Sequence, residues 1–182
     1  MEALARTDGL AVSLERVLAA REQRAARQMA ALARYAKPLL SMTVVTPGPI
    51  KDGPLPRRVL RRALAEIEDI ASRIPWPVLS REAFWHETGP EALYVIDAPA
   101  TLLKLVTIGL EDLHPLGRLW DLDVIAVGPS TLSRKEFGLA GRRCLVCERP
   151  AFECGRSRRH PLHELQQVVQ AMVREHDRHQ LH

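Results

Sequence analysis

Two aspartates one residue apart, Asp121 and Asp123, lie in an apolar run that follows a turn-like segment at residues 114–117. Side chains alternate between the faces of a strand, so both carboxylates are expected on one face, with Cα atoms about 6–7 Å apart. Two carboxylates at this spacing can bind one hard cation, which phosphoryl-transfer sites share with substrate phosphates. The apolar neighbours indicate burial, where an unpaired carboxylate is costly, and this favours a metal site. Two solvated acids on an edge strand are the alternative.

A helix is predicted over residues 14–36, with Ser13 as its N-cap. Its stripe at helical spacing consists of Leu14, Val17, Leu18, Arg21, Ala25, Gln28, Met29 and Leu32. Arg21 and Gln28 interrupt this apolar stripe and need polar partners. A phosphate would satisfy Arg21, although it could instead lie along the helix edge or pair with a structural carboxylate. Arg24 and Arg27 are expected on the solvated side.

The rest of the chain is predicted to alternate helices with strands. The predicted elements are strands at 39–46, 76–85 and 92–97, the last two joined by a turn at 88–91, and helices at 57–74, 102–113, 133–137 and from 161 onward. Residues 101–108 would also suit a strand. This order predicts an α+β fold: a single transferase domain over residues 1–182 whose mixed or antiparallel sheet is packed by helices. Residues 141–160 and the helix 161–178 would form its C-terminal appendage.

Glu111 and Asp112 end the predicted helix 102–113, shortly before the paired aspartates. Either could provide a third carboxylate for a cation held by Asp121 and Asp123. Two solvated acids at a helix end are the alternative.

Three cysteines and one histidine are concentrated in a short segment: Cys144, Cys147, Cys154 and His160. A Cys-x-x-Cys pair followed by a third thiol and an imidazole could form a tetrahedral structural zinc site. Small buried thiols that pack as hydrophobic groups are the alternative. Three cysteines do not form a disulfide framework, and a reducing cytosol is expected.

Composition limits the class of protein. The chain has 182 residues, 46% of them hydrophobic, which suffices for a core. No apolar run is long enough for a membrane span, and no signal peptide is expected. Residues 141–160 contain six arginines against two glutamates, so this segment alone carries the formal net charge of +4. A basic patch of this kind predicts a polyanionic partner.

Five motifs, in order along the chain, carry a resemblance to one known family. They are Ala-Arg-Glu-x-Arg-Ala-x-Arg-Gln at 20–28, Thr-Gly-Pro-Glu at 88–91, Leu-Gly-Arg-Leu-Trp-Asp-Leu-Asp-Val at 116–124, Arg-Cys-Leu-Val-Cys at 143–147 and Arg-Ser-Arg-Arg-His at 156–160. In these motifs the chain resembles the citrate lyase holo-acyl-carrier-protein synthases, which are apo-citrate lyase phosphoribosyl-dephospho-CoA transferases. The motifs extend over nearly the whole chain.

The resemblance implies a cytoplasmic transferase with a nucleotidyltransferase-like site. It would move phosphoribosyl-dephospho-CoA from 2′-(5″-triphosphoribosyl)-3′-dephospho-CoA to a serine of the citrate lyase acyl carrier protein, releasing pyrophosphate. The implied site residues are Asp121 and Asp123 as Mg²⁺ ligands, Arg118 as a further catalytic residue, and Arg21, Gln28, Arg158 and Arg159 as substrate-binding residues.

Two other functions are left open. A related holo-acyl-carrier-protein synthase could use another acceptor, such as that of malonate decarboxylase. A zinc-stabilised module could bind nucleic acid through the arginines of residues 141–160. Aromatic content of only 4% leaves few stacking platforms for single strands, so no nucleic-acid partner is expected.

Overall fold

The structure is a computed structural model and describes residues 9–128 and 130–180. Its helices and strands are, in chain order, α1 (Leu14–Tyr35), β1 (Leu39–Val44), α2 (Pro54–Arg73), β2 (Val78–His86), β3 (Gly89–Ile96), α3 (Ala100–Leu113), β4 (Trp120–Ala126), β5 (Ser130–Thr131), α4 (Ala151–Ser157) and α5 (Leu162–Gln180). Two 3-10 turns, Gly117–Leu119 and Arg134–Phe137, flank β4 and β5. Residues 102–113, which could have been strand or helix, belong to α3. None of the described helices is long and apolar enough to cross a membrane.

The five strands form one antiparallel sheet in the order β2-β3-β1-β4-β5, which confirms the α+β prediction. β1 is the central strand. Its Ser41 lies opposite Asp123 of β4, and its Thr43 lies between Glu91 of β3 and Asp121 of β4. Because cross-strand partners share a face, one face of the sheet carries two polar rows.

The opposite face of the sheet carries the main core. Alternate strand residues such as Met42, Tyr94 and Leu122 pack there against α2, α3 and α5. Val169 and Val173 place α5 in this core, so the C-terminal helix is packed on the body of the fold. A smaller cluster under α1 consists of Leu32, Leu39, Leu93, Val95 and Ile125.

Helix α1 confirms the predicted bounds, but the predicted core stripe is only partly right, because Gln28 and Leu32 face the sheet and several of its apolar members do not. Leu14 is 74% exposed, Leu18 and Met29 are also exposed, and within α1 the buried residue is Leu32. The side of α1 that contacts the sheet includes Arg24, Arg27 and Gln28. The reason is electrostatic, because the part of the sheet beneath this side is acidic.

Helix α3 closes the free edge of β4. β5 pairs only with Ile125 and Ala126, which leaves the backbone of Leu122 without a strand partner on that side. Lys104 Nζ donates to the Leu122 carbonyl (3.0 Å), and Glu111 Oε1 accepts from the Leu122 N–H (2.9 Å). Two buried charged side chains thus satisfy the strand edge and fix the position of the paired aspartates.

Candidate active site

The paired aspartates lie on the face of β4 that α1 covers, as their spacing predicts. Their apolar neighbours Trp120, Leu122 and Val124 point the other way into the main core. The predicted burial of the acids is therefore wrong. The side chain of Asp121 is 50% exposed, and Asp123 is exposed as well. Apolar flanking residues indicate burial only of the strand face on which they themselves lie. Both carboxylates are accessible to a cation or a substrate.

A third carboxylate, Glu91, belongs to the same face. It lies in β3 and is aligned through Thr43 with Asp121. Its residue is only 5% exposed. Sequence reasoning placed Glu91 in the turn at 88–91 and missed it. The signal was available, because Glu91 shares the period-2 pattern of Leu93 and Val95.

Two arginines of α1 bind Glu91. Arg24 Nε donates to Glu91 Oε2 (2.6 Å), and Arg27 donates to Glu91 Oε1. The predicted solvated position of these arginines is wrong, since both are partly buried against the sheet. Burial lowers the pKa of Arg24, while the charges of Asp121 and Asp123 act in the opposite direction. Arg24 therefore lies within electrostatic reach of all three carboxylates.

We name the group formed by Glu91, Asp121, Asp123, Arg24 and Gln28 the carboxylate cleft. Gln28 enters it as one of the predicted substrate-binding residues, and its Nε2 donates to Ser41 Oγ (2.9 Å).

Arg21 makes no described hydrogen bond or ion pair with the carboxylate cleft. This predicted substrate-binding residue is exposed on α1, one turn before Arg24. Burial, and then the charge of Arg21, lowers the pKa of Lys51, whose Nζ donates to the Thr46 carbonyl (2.8 Å). Arg21 is thus placed near the segment that follows β1.

The electrostatics of the cleft favour a bound cation. The pKa of Asp123 is raised, first by desolvation among the surrounding protein atoms and then by the charge of Asp121. Its carboxylate is still accessible to solvent, so the surrounding protein lowers its hydration without closing it off. A cation between the two acids would offset both effects.

Glu111 and Asp112, the predicted candidates for a third ligand, are engaged elsewhere. Arg134 donates to Glu111 Oε2 (2.7 Å) and to both oxygens of Asp112 (2.8 and 3.0 Å). The other oxygen of Glu111 accepts from Leu122. Arg142 Nη1 lies 3.9 Å from Glu111 Oε1 and 3.4 Å from Asp121 Oδ1, so it connects this edge with the cleft.

The Cys/His segment folds into a compact cluster, as its spacing predicts. The ligand atoms of Cys144, Cys147, Cys154 and His160 all lie within 4.8 Å of one another. Cys147 Sγ is 3.6 Å from Cys154 Sγ and 3.3 Å from His160 Nε2. Tetrahedral zinc requires edges of about 3.8 Å between sulfurs and about 3.5 Å between sulfur and nitrogen. The four residues therefore fit a zinc ion.

The surroundings of the cluster also suit a metal. Burial acts to raise the pKa of Cys144, but hydrogen bonds from the backbone of Val146 and Cys147 and from the thiols of Cys154 and Cys147 together lower it. The pKa of Cys154 is raised to about 11 by burial and by the neighbouring thiols. His160 Nδ1 lies 3.2 Å from Glu164 Oε2, which orients the ring so that Nε2 faces the thiols.

The remaining predicted arginines lie around this cluster. Arg118 donates to the carbonyls of Arg143 and Cys144, the latter at 3.3 Å. Arg158 lines a cavity of about 650 Å³ beside the cluster. Arg159 is exposed, and its N–H donates to the Cys154 carbonyl at 3.1 Å. None of these three makes a described hydrogen bond or ion pair with the cleft.

Comparison with known proteins agrees with the family resemblance. A family model described as apo-citrate lyase phosphoribosyl-dephospho-CoA transferase matches residues 12–176. A protein of that name from Citrobacter koseri is 45% identical over 167 residues, which cover 92% of this chain and 91% of the relative. A protein of the same name from Escherichia coli O1:K1 is 42% identical over the same shares of both chains.

Proposed function

Because the chain belongs to the apo-citrate lyase phosphoribosyl-dephospho-CoA transferase family, we propose that it attaches this prosthetic group to the acyl carrier protein of citrate lyase. The observation that supports this most is the carboxylate cleft. Asp121 and Asp123 are accessible on one strand face, and Arg24 is held beside them by Glu91. Transfer of a phosphoryl-containing group needs such an arrangement, because its catalysis consists mainly of positioning and charge stabilisation.

The reaction exchanges one bond at phosphorus for another. A serine hydroxyl of the carrier attacks the phosphorus next to the ribose, a new O–P bond forms, and the O–P bond to the leaving pyrophosphate breaks while the hydroxyl proton is released. Asp121 and Asp123 would hold Mg²⁺, because they offer accessible hard oxygen donors on one face. When bound, the ion would neutralise charge on the triphosphate. Arg24 would add positive charge beside the same oxygens, and Gln28 would position Ser41 at the floor of the cleft.

The test of this function is substitution of the paired acids. Asp121→Asn and Asp123→Asn should each lower transfer by at least about a hundredfold, because they remove charge from the metal-binding pair. The assay mixes enzyme, Mg²⁺, precursor and apo carrier protein, and measures released pyrophosphate and the mass of the carrier. Asp69→Asn, at an exposed carboxylate paired with Arg73 on α2, is the matched control. Wild-type rates in either cleft variant would contradict the proposal.

We also propose that Cys144, Cys147, Cys154 and His160 bind one structural zinc ion. The support is the fit of the two distances around Cys147 to a tetrahedral site and the orientation of His160 by Glu164. All four donors are engaged with one another, which suits a closed structural site. Free thiols at these positions are typical of a reducing compartment, and we propose that the enzyme is cytoplasmic.

Elemental analysis tests the zinc site. One zinc per chain is expected in the purified protein, and His160→Asn should lose it and lower the melting temperature. His163→Asn, at an exposed histidine three residues later, should retain the metal. Full zinc content in His160→Asn, or no zinc in the wild type, would refute the assignment.

The observed contacts change the roles that the sequence predicted for the arginines. We propose that Arg118 supports the cysteine cluster by donating to the carbonyls of Arg143 and Cys144, and that Arg24 is the arginine nearest the substrate phosphates.

A nucleic-acid module gains no support from the basic segment, because Arg142 and Arg143 already contact Asp121 and Glu148. Offering the carriers of citrate lyase and malonate decarboxylase in parallel would identify the preferred acceptor.

A further inference from the structure

A cavity of about 650 Å³ lies where the segment after β1, the cysteine cluster and the start of α5 meet. Its volume is typical of a small-molecule site. Much of its wall is apolar and is formed by Val45, Pro47, Leu145, Ala151, Leu162 and Leu165. Such a wall suits a ligand with apolar parts and is unsuited to a bare triphosphate.

The charged part of the wall is cationic. Arg118, Arg142, Arg143 and Arg158 line the cavity, and no acidic side chain does so among the described residues. Arg158 ends α4 in a left-handed conformation (φ 46°) and makes no ion pair within the described part of the chain. Its guanidinium is available for a phosphate, which arginine binds bidentately.

One residue joins the cavity to the carboxylate cleft. Arg142 lines the cavity, and its Nη1 lies 3.4 Å from Asp121 Oδ1. Its Nη2 donates to the carbonyl of Arg118 at 2.8 Å, which fixes the guanidinium between the two regions. A substrate whose triphosphate lies at Asp121 would have the cavity within reach for its remaining part.

We propose that this cavity binds the dephospho-CoA half of the precursor, an inference that rests on the proposed function. The adenine and the pantetheine arm would contact the apolar wall. The internal diphosphate of dephospho-CoA would bind Arg158, which has no ion-pair partner among the described residues. The triphosphate end would remain at Asp121 and Asp123, so that each half of the substrate has its own binding region.

The test places a large side chain in the cavity by substituting a glycine that lines it. A Cβ added to Gly155, which lines the cavity in α4, meets no atom within 4 Å, and its backbone is ordinary helix. Gly155→Trp should therefore fold and occupy the cavity. Gly109 of α3 has the same open surroundings but does not line the cavity, so Gly109→Trp is the matched control.

The measurement is calorimetric titration with dephospho-CoA alone, which carries no triphosphate. The wild type and Gly109→Trp should bind it equally, while Gly155→Trp should bind at least about tenfold more weakly. Arg158→Asn, with a residue that tolerates the left-handed backbone, should also weaken binding. Binding by Gly155→Trp and Arg158→Asn at wild-type affinity, or no binding by the wild type, would overturn the inference.

The transfer assay separates this inference from the proposed function. If wild-type protein transfers the group and Gly155→Trp does so with an unchanged KM for the precursor, the cavity assignment fails and the function stands. If the wild type binds dephospho-CoA in the cavity but releases no pyrophosphate, the proposed function fails.

Discussion

The charge balance of the carboxylate cleft depends on a few single residues. Three carboxylates, Glu91, Asp121 and Asp123, share one sheet face with two guanidinium groups, those of Arg24 and Arg27. Glu91 accepts hydrogen bonds from both arginines, and Arg142 pairs with Asp121 at 3.4 Å. Asp123 is left without an ion-pair partner among the described residues, so the aspartate pair keeps uncompensated negative charge. That imbalance explains why the site is suited to a cation before any phosphate arrives.

At the scale of single residues, the testable prediction concerns Arg24. Arg24→Gln should lower kcat/KM for transfer by about ten- to a hundredfold, or about 1.4–2.7 kcal/mol, because it removes positive charge next to the substrate oxygens. Steady-state pyrophosphate release measures the effect. Arg34→Gln, at an exposed position in the last turn of the same helix, should transfer normally. A normal rate in Arg24→Gln would mean that this arginine serves only to pair with Glu91.

At the scale of secondary-structure elements, side chains of α3 hold β4 in position. An edge strand leaves unpaired backbone groups, and here charged side chains of α3 satisfy both groups of Leu122. Arg134 follows β5 and closes the arrangement by binding the second oxygen of Glu111. The strand that carries Asp121 and Asp123 is thus fixed from behind by groups that do not enter the cleft.

Glu111→Ala should lower the free energy of unfolding by about 1–3 kcal/mol, because it leaves the Leu122 N–H without its acceptor and removes one of the two carboxylates that bind Arg134. Urea denaturation monitored by circular dichroism measures the change. Asp112→Ala is the neighbouring control, since Asp112 is exposed and binds the same arginine from outside. Equal stability of the two variants would show that Glu111 does not stabilise the strand edge.

At the scale of the whole molecule, α5 packs on the turn before β4. His176 of α5 lies 5.3 Å from the ring of His114, which stacks on Trp120 at 4.3 Å. Burial is the main cause that lowers the pKa of both histidines, and the nearby charges of Arg62, Glu66, Arg58 and Asp177 modify it. Both imidazoles therefore bind a proton less readily in the folded protein than in the unfolded chain.

This packing predicts a loss of stability in acid. A histidine with a lowered pKa binds fewer protons in the folded protein than in the unfolded chain. Its contribution to the free energy of unfolding is therefore fully present above about pH 6.5 and is lost as the pH falls below that value. The fall should reach up to about 1.4 kcal/mol per pH unit for each histidine. Urea midpoints between pH 7.5 and 5 should show a shallower dependence in His176→Gln than in the wild type. The exposed His163→Gln should follow the wild type, and identical profiles in all three would refute the role of His176.

Local sequence patterns determined the elements, one face of the site and the metal cluster. Period-2 alternation alone placed Asp121 and Asp123 on one side of β4, because the geometry of a strand leaves no other arrangement. The short Cys/His spacing likewise brought four ligands together, and the separated motifs identified the family. The strand pattern and the Cys/His spacing each belong to one short segment, and the family motifs can be read one by one along the chain, so the sequence contains these features.

Only the tertiary structure determined which other residues join Asp121 and Asp123 on their sheet face. Periodicity favoured the side of α1 that carries Leu14, Leu18 and Met29 as part of the buried face, but these residues are exposed and the side with Arg24 and Arg27 contacts the sheet. The acidic sheet face reversed this, because Glu91 stabilises Arg24 and Arg27 more than water does once the strands are assembled. Glu91 itself joins Asp121 only through β1, across a register between residues distant in sequence. Such long-range electrostatic partners exist only after the sheet has formed.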